Sequence, residues 1–544
     1  MAYYSLHAYD ADVWVQEFKG LRQQDESLNT DVRYATDVLN VETPNGVLQP
    51  HAGYGFIGDT LPDKVETIAR FYRRWYDGVG SKYWMICAAG GKVYYHQEGS
   101  SVGWIEITDL PDGVTSFGSN VWSWCTYEIE VQTVDHPVDV LLMSNQVDGM
   151  MMVIPPDKPN TWGDVAESKW GDLEEMTWEE VMTSDWEIEA VDTRADPTDD
   201  EEPQKKFGVI ERYAERIWGG ALPDEPDLLV YSKPYDPTDW TPNADIPEDG
   251  AGEIRQPSWD GDSFTALKAF GNQLIAFKEH RVWRVYGTNP GEFTFSQQYG
   301  GGAPYFNTIA VDVEKIFMAD LNGLSVYDGM SVTPYARELI EPLWRKVNKS
   351  AMDQMCATLF DNRYYLSLPM GNSTVNNALL VLDMKENTIL YYDDLPIESM
   401  LSTPEKIYAT SSALPWNVID LQYDSWVQGK SGGGATRWQS PWMDFGYKRI
   451  NKGGFDMYIT PEVQNEPVTL TISVQTEKKT KTKQYTIQPL TEAQRLAKKE
   501  ARNKRLHFGG NGRRFRIIIE TPEGVTAPWR LIGGIHMVVE TDPD

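Results

Sequence analysis

TALKAFGNQLIAFKEHRVWRVYG, residues 265–287, reads as three short strands joined by tight turns, Gly271-Asn272 at the first and Glu279-His280 at the second. In the middle strand Leu274 and Ala276 point to one side and Ile275 and Phe277 to the other. A strand that is apolar on both faces lies between two layers. The same scheme recurs at 81–108, where Gly90-Gly91 marks the first turn, and at 309–335, 354–394 and 405–429. The spacing, roughly 35–45 residues per unit, is near the length of a four-stranded propeller blade. About seven such units fit between residues 35 and 432. Many short strands with Gly, Asn and Asp turns predict an all-β chain, and radial repetition disposes of the exposed strand edges that such a chain would otherwise carry.

Outside this repeat the pattern changes. Residues 1–34 read as an N-terminal arm. The stretch 155–205 breaks the blade pattern and reads as an insertion between two blade strands. SGGG (431–434) reads as a hinge, after which MDFGYKRINKGGFDMYITP, PVTLTISVQTEKKTKTKQYTIQPL and RRFRIIIETPEGV look like longer alternating strands. Residues 433–544 are therefore expected to form a C-terminal β-sandwich. It would carry one short helix, LTEAQRLAKKEARNKRLH (490–507), with Thr491 as N-cap and an apolar face of Ala493, Leu496, Ala497 and Ala501.

The chain of 544 residues is too long for one ordinary core, and aromatics make up 12% of it, rich enough to favour strands and interfaces. The net charge of −32 is unevenly spread: residues 157–202 hold 17 acidic and 3 basic side chains, and residues 441–516 hold 16 basic and 7 acidic ones. An acidic protein is a poor candidate for gripping nucleic acid. Three cysteines, Cys87, Cys125 and Cys356, make no disulfide framework and suit a reducing compartment. The first residues lack the basic and apolar regions of a signal peptide, and no apolar run reaches the length of a membrane span.

Motifs that suggest chemistry fail on context. GYGFIG (53–58) matches the dinucleotide fingerprint, but Pro62 follows closely and the surroundings are all β, so it reads as a glycine turn. GSSVG (99–103) matches a nucleophile elbow but lies between two strands of a hairpin. WDGDSF (259–264) and DPTDD (196–200) lack the full calcium-loop spacing and read as solvated carboxylates. No nucleophile, base or metal-ligand cluster stands out, so neither catalysis nor a cofactor is expected.

RYAERIWGGALPDEPDLLVYSKPYDPTDW (212–240) resembles a segment of phage tail-nozzle and packaged-DNA-stabilisation proteins, in which an Arg-Ile/Leu-Trp strand precedes Ser-x-x-x-Asp-Pro-x-x-Trp. FTFSQQYGGGAPYFNTIAV (293–311) and FMADLNGLSVYDG (317–329) resemble blades of the same group. The resemblance covers about 205–430. It implies a structural virion protein of a bacteriophage tail. Copies of it, commonly six in the family, would form a ring at the end of the DNA exit channel, assembled in the host cytoplasm beside portal-adaptor or other tail proteins. Two other readings stay open: a tail-tip attachment propeller that binds cell-surface glycan and, more distantly, a propeller polysaccharide hydrolase or lyase.

Trp162, Trp170, Trp178 and Trp186 fall every eight residues inside the acidic insertion. Eight residues rotate a helix by about 80°, so they form no stripe, and the period suits short capped turns that each present one Trp. These four are the candidate subunit-interface anchors. The acidic surplus lets DNA slide past without being held. The basic stretch is therefore placed off the DNA path, with Lys478, Lys479, Lys481, Lys483, Arg513, Arg514 and Arg516 as candidate contacts for an acidic partner surface.

Overall fold

In the computed structural model residues 265–287 do form three strands of one antiparallel sheet, Phe264–Phe270, Gln273–Lys278 and Val282–Tyr286, and Thr294–Gln297 adds a fourth. Gly271 takes φ +61° at the first turn, a conformation that costs a residue without Cβ nothing. The two faces of the middle strand are buried in different cores. Leu274 and Ala276 pack with Val209, Trp218 and Leu229 of the preceding sheet. Ile275 and Phe277 pack with Ile316, Met318 and Tyr327 of the following one. The structure describes residues 10–22, 31–51, 53–74, 82–130, 137–155, 186–256, 261–423, 434–445, 451–489 and 504–541.

Seven four-stranded antiparallel sheets of this kind follow one another. Sheet 1 starts at Val65–Arg73, sheet 2 at Ser123–Glu130, sheet 3 at Val209–Tyr213 and sheet 4 at Phe264–Phe270. Sheets 5, 6 and 7 start at Ala310–Val311, Cys356–Phe360 and Ile397–Ser402. In sheets 1 to 6 the four strands run in chain order. Sheet 7 takes three of its own and borrows Gly53–Ile57 as its fourth, with Ile419 opposite Phe56. Each pair of neighbouring sheets shares an apolar core. Sheet 7 shares one with sheet 1, through Leu401, Tyr408 and Val418 against Val65, Ile68 and Met85, so the series returns to its start. The fold is thus all-β, with its four-stranded sheets arranged as in a β-propeller.

Two further antiparallel sheets hold the C-terminal strands. One has the order Asp10–Val15, Trp529–Thr541, Lys452–Val463, Lys504–Gly512. The other runs Asp37–Leu39, Thr436–Gln439, Phe515–Thr521, Val468–Thr476, Thr480–Ile487. Their inward residues, among them Phe455, Met457, Ile472, Ile517 and Met537, belong to one core. That core continues into sheets 5 and 6 through Phe317, Leu324, Tyr364 and Leu382.

The N-terminal residues are not a separate arm. Asp10 to Val15 pair with Glu540 to Ile535, and Gly534 permits this: a Cβ there would stand 1.7 Å from the Val15 carbonyl oxygen. Residues 37–50, placed with the blades by the sequence pattern, pair instead with the C-terminal strands or with each other. Leu21, Asn40 and His51, within and beside this segment, join the two parts of the molecule. Leu21 and Ile389 exchange backbone hydrogen bonds at the outer strand of sheet 6. Asn40 donates to Asp393 (2.7 Å) and accepts the Asp393 amide (2.9 Å), and His51 meets Asp394 at 2.8 Å.

The α-helix among the described residues is Arg337–Trp344, which the sequence pattern did not suggest. Leu339, Ile340, Leu343 and Trp344 form its buried face, and Glu341 pairs with Arg345 one turn on. Most of the expected helix at 490–507 lies outside the described residues; its last four, Lys504 to His507, are strand, paired with Ile459 to Asp456. Of SGGG (431–434), only Gly434 is described.

Candidate functional site

The first strands of the seven sheets surround a central channel of about 540 Å³. Every sheet contributes to its wall: Glu66, Thr126, Glu211, Lys268, Ala310, Thr358 and Glu398 come from sheets 1 to 7 in turn. On these strands successive apolar side chains enter the two flanking cores, as Val209 and Ile210 do, so the strand edge itself faces the channel. Spread along a strand of about five residues, the volume corresponds to a bore on the order of 6–9 Å. One groove of B-DNA alone is about 12 Å wide. A duplex cannot pass through the ring of one chain.

The charges on the wall are matched against one another. Lys268 Nζ lies 3.6 Å from Glu211 Oε2. Lys64 Nζ bridges Glu66 (3.1 Å) and Glu398 (3.2 Å), and Asn120 donates to the other oxygen of Glu66 at 3.1 Å. Arg212 pairs with Glu215 (2.6 Å) and lies over the Tyr127 ring. Burial raises the Glu211 carboxyl above the ordinary glutamate range, against the opposing pull of Lys268. Cys125 and Cys356 also line the channel, and burial pushes both thiols up, away from the reactive thiolate. Among the described residues the wall assembles no nucleophile with an adjacent base.

The sequence-named residues fall in different places. Trp162, Trp170 and Trp178 lie outside the described residues, between the third and fourth strands of sheet 2. Trp186 corrects the interface assignment. It is 4% exposed and packs with Phe71, Trp84 and Tyr95 between sheets 1 and 2, stacked on Tyr95 at 4.8 Å. The register explains this: Trp186 immediately precedes the strand Glu187–Ala190, so it belongs to the blade and not to the insertion. The acidic run 196–202 is folded into a loop whose carboxylates accept local amides, Glu202 from Ala195 and Asp196, Asp199 from Glu201.

Lys478 and Lys479 are exposed at a hairpin turn of the second module, the pair of sheets that holds the C-terminal strands, and Arg513 and Arg514 at the turn beside it, where the Arg513 amide donates to Glu477. Lys481 and Lys483 sit on an edge strand opposite the core residues Val474 and Ile472, so both point toward the facing sheet, and Lys483 Nζ lies 5.7 Å from the Phe508 ring centre. Arg516 is half-buried, bonded to Gln475 and over the Trp442 ring. GYGFIG is the closing strand of sheet 7, and GSSVG joins the third and fourth strands of sheet 1. One grouping escaped the sequence reading: Asp262, Glu279 and His280 converge because a loop between sheets 3 and 4 meets a hairpin turn. No spacing rule joins residues 17 positions apart without knowledge of that hairpin.

No family model matches the chain, and no curated protein matches it. Among solved structures, the Neurospora crassa Pan2 WD40 domain aligns over 69% of this chain and 98% of its own, at 10% identity and a TM-score of 0.34.

Proposed function

We propose that the chain is a seven-bladed β-propeller with a C-terminal β-sandwich, and that it serves as a structural ring subunit of a bacteriophage tail nozzle. The observation that carries the reading is charge segregation on a two-part body with a shared core. Lys478, Lys479, Arg513 and Arg514 form an exposed basic end on a chain whose net charge is −32. A patch of one sign on a body of the other favours head-to-tail contact between copies, and such contacts close into rings when the rotation allows. The channel of a single chain is too narrow for a duplex, so the DNA path in this reading runs between copies, past acidic surfaces that repel it weakly.

Native mass measurement and negative-stain imaging at increasing protein concentration test the proposal. Closed rings are expected, and reversing the four cations to Glu should leave the fold intact and the rings dispersed. A chain that stays monomeric at every concentration, in the absence and presence of tail partners, would sink the reading. A duplex titration at physiological salt adds the DNA side: binding no tighter than non-specific levels is expected, and tight binding lost in the charge-reversed variant would make the basic end a nucleic-acid clamp.

A further inference from the structure

We propose that Asp262, Glu279 and His280 form a binding site for a divalent d-block cation, with zinc as the fitting ion. The ligand atoms of the three side chains all lie within 4.8 Å of one another. Asp262 Oδ1 and His280 Nδ1 are 3.5 Å apart, close to the roughly 3.3 Å edge of a tetrahedron with metal–ligand bonds of about 2.0–2.1 Å. Glu279 and His280 are exposed on their hairpin turn, so their side chains can close the remaining gap by rotation alone.

The second observation is the state of Asp262. Its side chain has no exposed surface, yet its oxygens share a single amide donor among the described residues, that of His280, at 3.2 and 3.4 Å. A buried carboxylate ordinarily accepts several hydrogen bonds, and one long shared contact leaves lone pairs directed at the turn that bears Glu279 and His280. The ammonium of Lys278 is close by but donates to backbone carbonyls, those of Gln256 (2.7 Å) and Asp262 (3.1 Å), and lies over the Phe264 ring. Ser263 donates its hydroxyl to Glu279 at 3.2 Å, which orients that carboxylate from outside.

The donor set selects the ion. One imidazole nitrogen with two carboxylate oxygens suits zinc or a neighbouring d-block cation and is too few oxygens for calcium, which takes six to eight. Three protein ligands leave one position for water. The ion would clip the loop that leads into the first strand of sheet 4 onto the turn between its second and third strands.

The test uses the full chain, stripped with chelator and dialysed. Zinc is titrated by calorimetry, and cobalt is followed by its visible absorption. One ion per chain with micromolar affinity is expected, with the intense bands of four-coordinate cobalt. His280→Ala and Glu279→Gln, both at exposed positions and so compatible with folding, should each weaken binding at least tenfold and abolish any zinc-dependent rise in Tm. Absence of stoichiometric zinc, affinity unchanged in His280→Ala, or calcium bound as tightly as zinc would each overturn the proposal.

Discussion

The seven ring sheets and the two sheets of the second module are both antiparallel and both fully cored, yet the chain builds them in opposite ways. Sheets 1 to 6 each come from one continuous stretch of chain, strand beside next strand. The second module draws Asp10–Val15 and Asp37–Leu39 from one end of the chain and everything from Thr436 onward from the other. The ring therefore assembles from local hairpins, while the module closes loops of some five hundred residues, as in Asp10 opposite Glu540. Loop closure costs grow only slowly with length, so such pairing is thermodynamically tolerable, but it is kinetically late. The comparison teaches that the described residues between 10 and 51 are what ties the C-terminal sheets to the ring.

Trp438 offers the largest test. It is fully buried, meets Phe18 edge-on at 5.0 Å and donates its indole N–H to the Lys19 carbonyl oxygen. Trp438→Ala should cost about 3–5 kcal/mol. Hydrogen exchange should rise first in Asp10–Val15 and Trp529–Thr541, while Gln273–Lys278 stays protected. Simultaneous loss in both regions would show that ring and module form one cooperative unit and break the contrast.

Trp186→Ala comes next, at about 3 kcal/mol, from the cavity it would open among Phe71, Trp84 and Tyr95. Denaturant unfolding should report that loss with the oligomeric state unchanged. A variant of full stability that no longer assembles would return Trp186 to an interface.

A smaller effect sits in the channel. Because burial raises the Glu211 carboxyl, the folded state holds that proton more firmly than the unfolded one. Its contribution is present below the ordinary glutamate value of about 4.3 and is lost as pH rises through the folded value. Glu211→Gln should therefore raise Tm near pH 7 and leave it unchanged near pH 4, measured by scanning calorimetry at both. A fall in Tm at neutral pH would mean that the pairing with Lys268 outweighs the burial.

The smallest change in stability, within about 0.5 kcal/mol, is expected for Lys481→Val with Lys483→Val. These lysines lie on the core side of the edge strand Thr480–Ile487 yet stay exposed, a device that blocks pairing with another sheet. Light scattering should show concentration-dependent aggregation of the double variant at unchanged Tm. A monodisperse variant would remove the edge-guard role and leave them as surface charges.

Legibility followed range in sequence. The hairpin 265–287 declared its turns, its strands and its two buried faces, because a period of two and a Gly-Asn turn are local facts. Arg337–Trp344 was missed, since a helix of eight residues with Pro342 inside and no side-chain N-cap carries little local signal and is held by the face it buries. Trp186 was misassigned because a period of eight grouped it with three upstream tryptophans, while the strand that follows it, Glu187–Ala190, ties it to sheet 2. The channel charges gave no sign of meeting: Glu211 and Lys268 lie 57 positions apart, and only the turn from one sheet to the next brings them within 3.6 Å.

By itself the sequence determined the all-β character, the four-stranded unit and its repetition, and the segregation of charge. Each of these rests on neighbours within a few residues or on composition. Tertiary structure alone decided that the N-terminal strand completes the C-terminal sheets, that Gly53–Ile57 closes sheet 7, and that Asp262 meets a turn carrying His280. An edge strand accepts any partner of matching pattern and register, and which one arrives is settled by the packing of the whole chain.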